Sequence, residues 1–129
     1  MAIRTLIVDD HDDMREVLRL MATRSGACVV AVVPDGKAAL AVLAISPIDL
    51  LLTDYQMPGM DGITLAHTVH QQWPKTVVVL VTACPDPLLI DAARDAMIFT
   101  ILEKPVSMTK LGQLVCHVEH CSDGGPWSY

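Results

Sequence analysis

Asp9, Asp10, Asp54, Thr82 and Lys104 are the residues of this 129-residue chain whose types could do chemistry together. Each follows a short apolar run: Ile3 to Val8, Leu50 to Thr53, Thr76 to Val81, and Ile98 to Leu102. Such runs, bounded by turn residues, read as strands buried on both faces, as in a parallel sheet. The carboxyl ends of parallel strands share one edge, where open α/β sheets place their ligand sites. The five side chains therefore converge. Carboxylates held ~4 Å apart at an effective dielectric of ~20 repel by about 4 kcal/mol per pair. Cations must balance them: a hard divalent ion held by oxygen, Mg²⁺ with Mn²⁺ as the alternative, and the Lys104 ammonium. A metal, a lysine and a hydroxyl around one carboxylate form a receptacle for phosphoryl oxygens. Asp54, at its centre, could then act as nucleophile and become an aspartyl phosphate. The plain alternative is that a strand-end acid only caps the helix after it.

Helices must carry the chain back between these strands. After Asp9-Asp10, the stripe Met14, Val17, Leu18, Met21, Ala22 has helical spacing, with Asp12 or Asp13 as cap and Gly26 as stop. Ala27 to Val33 is a second strand, closed by Pro34-Asp35-Gly36, and Lys37 to Ile45 a second helix, stopped by Ser46-Pro47. Met57-Pro58-Gly59 turns the chain after Asp54, and Asp61-Gly62 opens a helix with Leu65, Ala66, Val69 and Trp73 on one face. Asp86-Pro87 starts a fourth helix and Ser107 a fifth, which carries Met108, Leu111, Leu114, Val115 and Val118. Five β-α units without a linker predict an α/β fold, a doubly wound five-stranded parallel sheet with helices on both faces. The domain is expected over residues 1–121, followed by a flexible tail at 122–129.

The chain is 52% hydrophobic and 4% aromatic, so aliphatic residues fill its core. A formal charge of −6 with no basic patch argues against direct nucleic-acid binding. No apolar run is long enough to span a membrane, and the start lacks a signal-peptide stretch, which points to a soluble, cytoplasmic protein. The four cysteines are too scattered for a disulfide framework and are expected to be thiols, with Cys84 a small core filler. Cys116, His117, His120 and Cys121 look like metal ligands, but their spacing splits them between two faces of one helix. A solvated helix end with its histidines near the dipole is the expected state. His11 reads as lining the rim of the site, without a role.

Taken together, Asp9-Asp10, Asp54 with Met57-Pro58-Gly59-Met60-Asp61-Gly62, Thr82-Ala83 and Lys104-Pro105 resemble the receiver domain of two-component response regulators. The resemblance covers roughly residues 3–121 and implies a flavodoxin-like strand order, 2-1-3-4-5. It implies that Asp54 is the phosphoacceptor, charged by a histidine kinase or a histidine phosphotransfer protein. Mg²⁺ would be held by Asp10, Asp54 and the backbone carbonyl of Gln56, and by Asp9 partly through water. Lys104 would pair with Asp54 and then with the phosphoryl group. Thr82 would turn inward and pass the change to the surface of helix four, strand five and helix five, through which a homodimer could form. The output would be a downstream protein target or an output domain outside this sequence. By the same resemblance the chain is a signalling domain that catalyses only its own phosphorylation and dephosphorylation.

Four positions depart from or modulate that pattern. The family's switch aromatic on strand five is here Ile101; Phe99 is expected on the same side, nearer the other end. The glycine that usually ends helix four is here Met97, which suggests a helix end of different geometry. Gln56 and Cys84 occupy positions that tune dephosphorylation in the family, and neither is a strong acid or base. Two other functions remain in view. One is an aspartate-nucleophile phosphatase or phosphotransferase, against which Gln56 stands where a second acid is usual. The other is a degenerate receiver serving as a constitutive interaction module, against which all five key residues are present.

Overall fold

The computed structural model describes residues 2–120, of His120 only the backbone. Strands and helices alternate: β1 (Arg4–Val8), α1 (Asp12–Arg24), β2 (Cys28–Val33), α2 (Gly36–Ile45), β3 (Leu50–Asp54), α3 (Gly62–Gln72), β4 (Val77–Thr82), α4 (Pro87–Asp95), β5 (Thr100–Glu103) and α5 (Met108–His120). All neighbouring strands pair in parallel, in the order β2-β1-β3-β4-β5. Winding reverses between β1 and β3, so their carboxyl ends border a crevice.

β3 lies at the centre and is buried at every residue from Leu50 to Asp54. Its run needs no polar alternation because helices cover both faces. Leu51 faces a layer shared with Leu6, Val8 and Leu80, packed on Leu43 of α2, Leu65 and Val69 of α3, and Leu89 and Ala93 of α4. Leu50 and Leu52 face the other layer, with Ile7, Val79 and Val81 against Leu18 of α1 and Leu111 and Leu114 of α5. Each such fully buried side chain contributes roughly 1.5–3 kcal/mol relative to exposure.

Asp35, Asp61 and Asp86 cap α2, α3 and α4, their side chains accepting from Ala38, Thr64 and Leu89 N–H, each at 2.8 Å. Ser107 accepts from Lys110 N–H at 3.2 Å at the start of α5. The expected cap of α1 is corrected. The helix begins at Asp12, and His11 holds the cap position with no side-chain bond to the helix N–H groups. The Asp9 carboxylate takes the His11 N–H at 2.9 Å and closes the turn there. Asp12 and Asp13 thus fall in the first turn, where their charge favours the helix dipole, and Asp12 pairs with Arg15.

Helices α1 and α4 end alike. Past α1, Gly26 N–H donates to Thr23 C=O and Ala27 N–H to Ala22 C=O, with Gly26 at φ +95°. Past α4, Met97 N–H donates to Arg94 C=O and Ile98 N–H to Ala93 C=O, with Met97 at φ +63°. Both are Schellman closures. A changed geometry at Met97 is therefore not what happens. The two carbonyls to be satisfied outweigh the preference of a side chain against left-handed backbone.

β5 starts at Thr100, so strand alternation does not reach Phe99. Phe99 packs with Leu102 in the layer of α1 and α5, whereas Ile101 borders the opposite layer. The expectation that Phe99 and Ile101 share a side is overturned. On α5, Cys116 is exposed, and the His117 ring packs against Phe99 with centroids 5.3 Å apart, so it is not simply solvated. Cys121, the tail 122–129 and the His120 side chain fall outside the described residues, and with them the remainder of the metal-like cluster.

Candidate functional site

Each candidate residue is delivered by a strand end. Asp9 follows β1, Asp54 closes β3, Thr82 closes β4 and Lys104 follows β5. Register sets Val8 beside Thr53, Asp54 beside Val81, and Thr82 beside Glu103, which brings these ends level. Asp9 is wholly buried, and Asp54 and Thr82 are each only 6% exposed. Lys104 Nζ donates to Asp54 Oδ1 at 3.2 Å and to Asp9 Oδ2 at 3.4 Å. Tyr55 N–H donates to Asp54 Oδ1 at 2.9 Å. The peptide between Lys104 and Pro105 is cis.

Ligand-capable atoms of Asp9, Asp10, His11 and Asp54 all lie within 4.8 Å of one another. Asp10 Oδ1 is buried without a hydrogen bond, although His11 Nδ1 is 3.1 Å away. Burial, and after it the charge of Asp9, push the Asp54 carboxyl above the usual carboxylate range, against the pull of Lys104 and the Tyr55 N–H. Asp54 thus sits half-desolvated beside like charges, with the Lys104 ammonium as its direct counter-ion among the described residues.

The turn after β3 fixes the position of Asp54. Gly62 N–H donates to Tyr55 C=O at 2.8 Å, and α3 starts hard against the strand end. A Cβ on Gly62 would lie 2.4 Å from the Asp54 carbonyl oxygen and 2.7 Å from Leu80 Cδ1. Gly59 takes φ +84°, which permits the turn before it. Above these residues opens a cavity of about 740 Å³, lined by Asp10, Asp54, Gln56, Thr82, Cys84 and Lys104 among others. A second cavity of about 370 Å³ adjoins it on the Gln56–Pro58 side and shares Asp10, Tyr55 and Gln56.

The family model of the response regulator receiver domain matches residues 5–116. The chain belongs to that family. A response regulator receiver protein of Anaeromyxobacter sp. is 35% identical over 108 residues, 84% of this chain and 45% of the relative. The response regulator protein PilR of Pseudomonas aeruginosa is 36% identical over 118 residues, 87% of this chain and 25% of the relative. This receiver thus spans less than half the length of these curated relatives, and a sensor histidine kinase is another protein that it matches. Among solved structures, the isolated REC domain of RcsB from Salmonella enterica serovar Typhimurium superposes with a TM-score of 0.85. It is 25% identical, and the match covers 98% of this chain and 94% of that one.

Not every expected position of the receiver lies in the pocket. Ile101 is half-buried on β5, paired with Leu80 and packed on the α2–α3–α4 layer. Among the described residues, Thr82 Oγ1 accepts only a long bond from Cys84 N–H, at 3.4 Å. Cys84 is exposed on the cavity wall and is not a core filler. It lies past the last residue of β4, beyond the reach of the apolar layers. Two contributors went unassigned in the sequence. His11 touches Asp9 and Asp10, and Arg15 Nη1 holds the Asp9 carbonyl at 2.7 Å. The signal for His11 was its place beside the acid pair; for Arg15 there was none beyond helical spacing.

Proposed function

We propose that this receiver accepts a phosphoryl group on Asp54 from a phosphohistidine of a histidine kinase or phosphotransfer protein and thereby switches an interaction surface. The observation that carries the reading is the shared lysine. Lys104 reaches both buried carboxylates, Asp54 and Asp9, while Asp10 Oδ1 next to them is left without a donor. One ammonium does not balance three acids, so the site calls for a further cation.

The donor set fits a hard divalent ion: the carboxylates of Asp9, Asp10 and Asp54 and the backbone carbonyl of Gln56 are all oxygen. These four residues would hold Mg²⁺ or Mn²⁺, which supplies positive charge for the oxygens of the transferring group. The rest is the work of the chain. An Asp54 carboxylate oxygen attacks phosphorus as the P–N bond to the donor imidazole breaks. Lys104, already bonded to Asp54, stays beside the new phosphoryl oxygens. Thr82, weakly held, turns its hydroxyl to one of them. The new group brings about −1.5 to −2 charge to the end of β3. The RcsB receiver was solved in the presence of the phosphomimetic BeF₃⁻, a state that the same pocket should admit here. Output passes through the α4–β5–α5 surface, to a protein target, a second copy or an output domain. The domain as read spans 1–121 and works in the cytoplasm, where kinases of this kind present their phosphohistidine.

Intact-mass spectrometry with Mg²⁺ and acetyl phosphate tests the reading. Asp54 is expected to gain one phosphoryl group that alkali and hydroxylamine release, and Asp54→Asn to gain none. Equal labelling of both proteins would sink the proposal.

A further inference from the structure

We infer that His11 is itself a metal ligand, giving its Nδ1 to the divalent ion and tilting the pocket toward Mn²⁺ over Mg²⁺. The inference rests on the metal reading above and adds a nitrogen to its oxygen set.

His11 Nδ1 lies 3.1 Å from Asp10 Oδ1 and 3.3 Å from Asp9 Oδ1. Neighbouring ligands of an octahedral ion with bonds of about 2.1–2.3 Å stand roughly 3.0–3.3 Å apart. The spacing is that of ligands sharing one ion. The approach to Asp9 Oδ1 is also a hydrogen bond, but the closer one, to Asp10 Oδ1, makes none and leaves that buried oxygen open to an ion shared with the imidazole.

The backbone holds the imidazole in place. His11 N–H donates to Asp9 Oδ1 at 2.9 Å, at the cap position of α1. That short bond fixes Cα, and the ring needs only its own two torsions to stay at the rim, where it lines the larger cavity. The side chain is 70% exposed, so its second nitrogen is not bonded into the core and an ion meets the ring from the pocket side. Mg²⁺ favours oxygen and retains water, whereas an imidazole strengthens binding of first-row transition ions.

Mn²⁺ titrated into the full chain, followed by electron paramagnetic resonance, tests this. Wild type is expected to show ¹⁴N modulation of an imidazole in the pulsed spectrum of bound Mn²⁺. Histidine labelled with ¹⁵N should replace that modulation. In His11→Gln the modulation should vanish while Mn²⁺ still binds, about tenfold more weakly. Mg²⁺ affinity, from competition, should change little, so the Mn²⁺/Mg²⁺ ratio drops about tenfold. Bound Mn²⁺ without nitrogen modulation, or modulation that survives in His11→Gln, overturns the His11 assignment and leaves the oxygen site standing. Failure of wild type to bind Mn²⁺ or Mg²⁺ at all overturns the metal reading, and the ligand with it. Thermal melts of the variant verify that it folds.

Discussion

On the β1–β3 side of the pocket, every site carboxylate but Asp10 is held by a backbone N–H at 2.9 Å and by the Lys104 ammonium at 3.2–3.4 Å. Asp9 is held through His11 N–H and Lys104, Asp54 through Tyr55 N–H and Lys104, and the turn below by Gly62. On the β4–β5 side, Thr82 Oγ1 has one bond of 3.4 Å, Leu88 is 82% exposed, and Met97 holds left-handed backbone. The first wall holds each of two buried carboxylates through two donors; the second holds its hydroxyl through one N–H. Groups that stabilise a transferring phosphoryl gain from fixed position, whereas a surface that reports the transfer needs low local stability. The contrast predicts that changes on the first wall cost stability and chemistry, and changes on the second mostly shift conformation.

The largest effect is expected from Gly62→Ala. The added Cβ meets a backbone oxygen that cannot step aside, so α3 must lift from β3, at about 3 kcal/mol. Urea denaturation reads the loss, and phosphoryl uptake on Asp54 should fall with it. A cost below about 1 kcal/mol would mean that the first wall is softer than described.

Asp54→Asn probes the same wall through charge. The folded-state pKa of Asp54 lies above its ordinary value, through burial and Asp9, so the native state holds the proton more tightly than the unfolded chain. Stability due to this group therefore falls as pH rises through the window from the ordinary value to the raised one, and stays lowered above it. Without metal, Asp54→Asn should melt higher than wild type at neutral pH, and the gap should close below about pH 4. Melts in a chelator at several pH values check both the sign and the window.

The two Schellman ends give a smaller, matched pair. Gly26→Ala should lose about 1 kcal/mol, and Met97→Gly should gain roughly 0.5–1 kcal/mol, since Met97 is 61% exposed and packs little. Hydrogen exchange at Ile98 and Phe99 should slow in Met97→Gly. If it does not, the end of α4 is no looser for its methionine. Smallest of all is Ile101→Tyr. The half-buried position allows a ring, so stability should change by less than about 1 kcal/mol, and labelling of Asp54 should match wild type. An equally fast uptake with an altered α4–β5–α5 surface, read by amide shifts, would separate the two walls cleanly.

Apolar runs that end on acids, Thr or Lys determined the strands, their parallel pairing and the doubly wound class, because burial on both faces leaves few other uses for such runs. The same runs placed Asp9, Asp54, Thr82 and Lys104 at one edge, which follows from parallel direction alone. What sequence could not supply was distance. That Lys104 spans two carboxylates, that His11 Nδ1 stands 3.1–3.3 Å from Asp9 and Asp10, and that Gly62 leaves no room for a Cβ are facts of packing. Simple propensity rules also lost where other local hydrogen bonds outweighed them. Asp9 took the turn that Asp12 was expected to cap, and Met97 took a glycine's backbone to satisfy two carbonyls. Residue types and their order settle what a pocket is made of; only the folded backbone, which sets which groups meet at about 3 Å and which cannot, decides how firmly each wall is held.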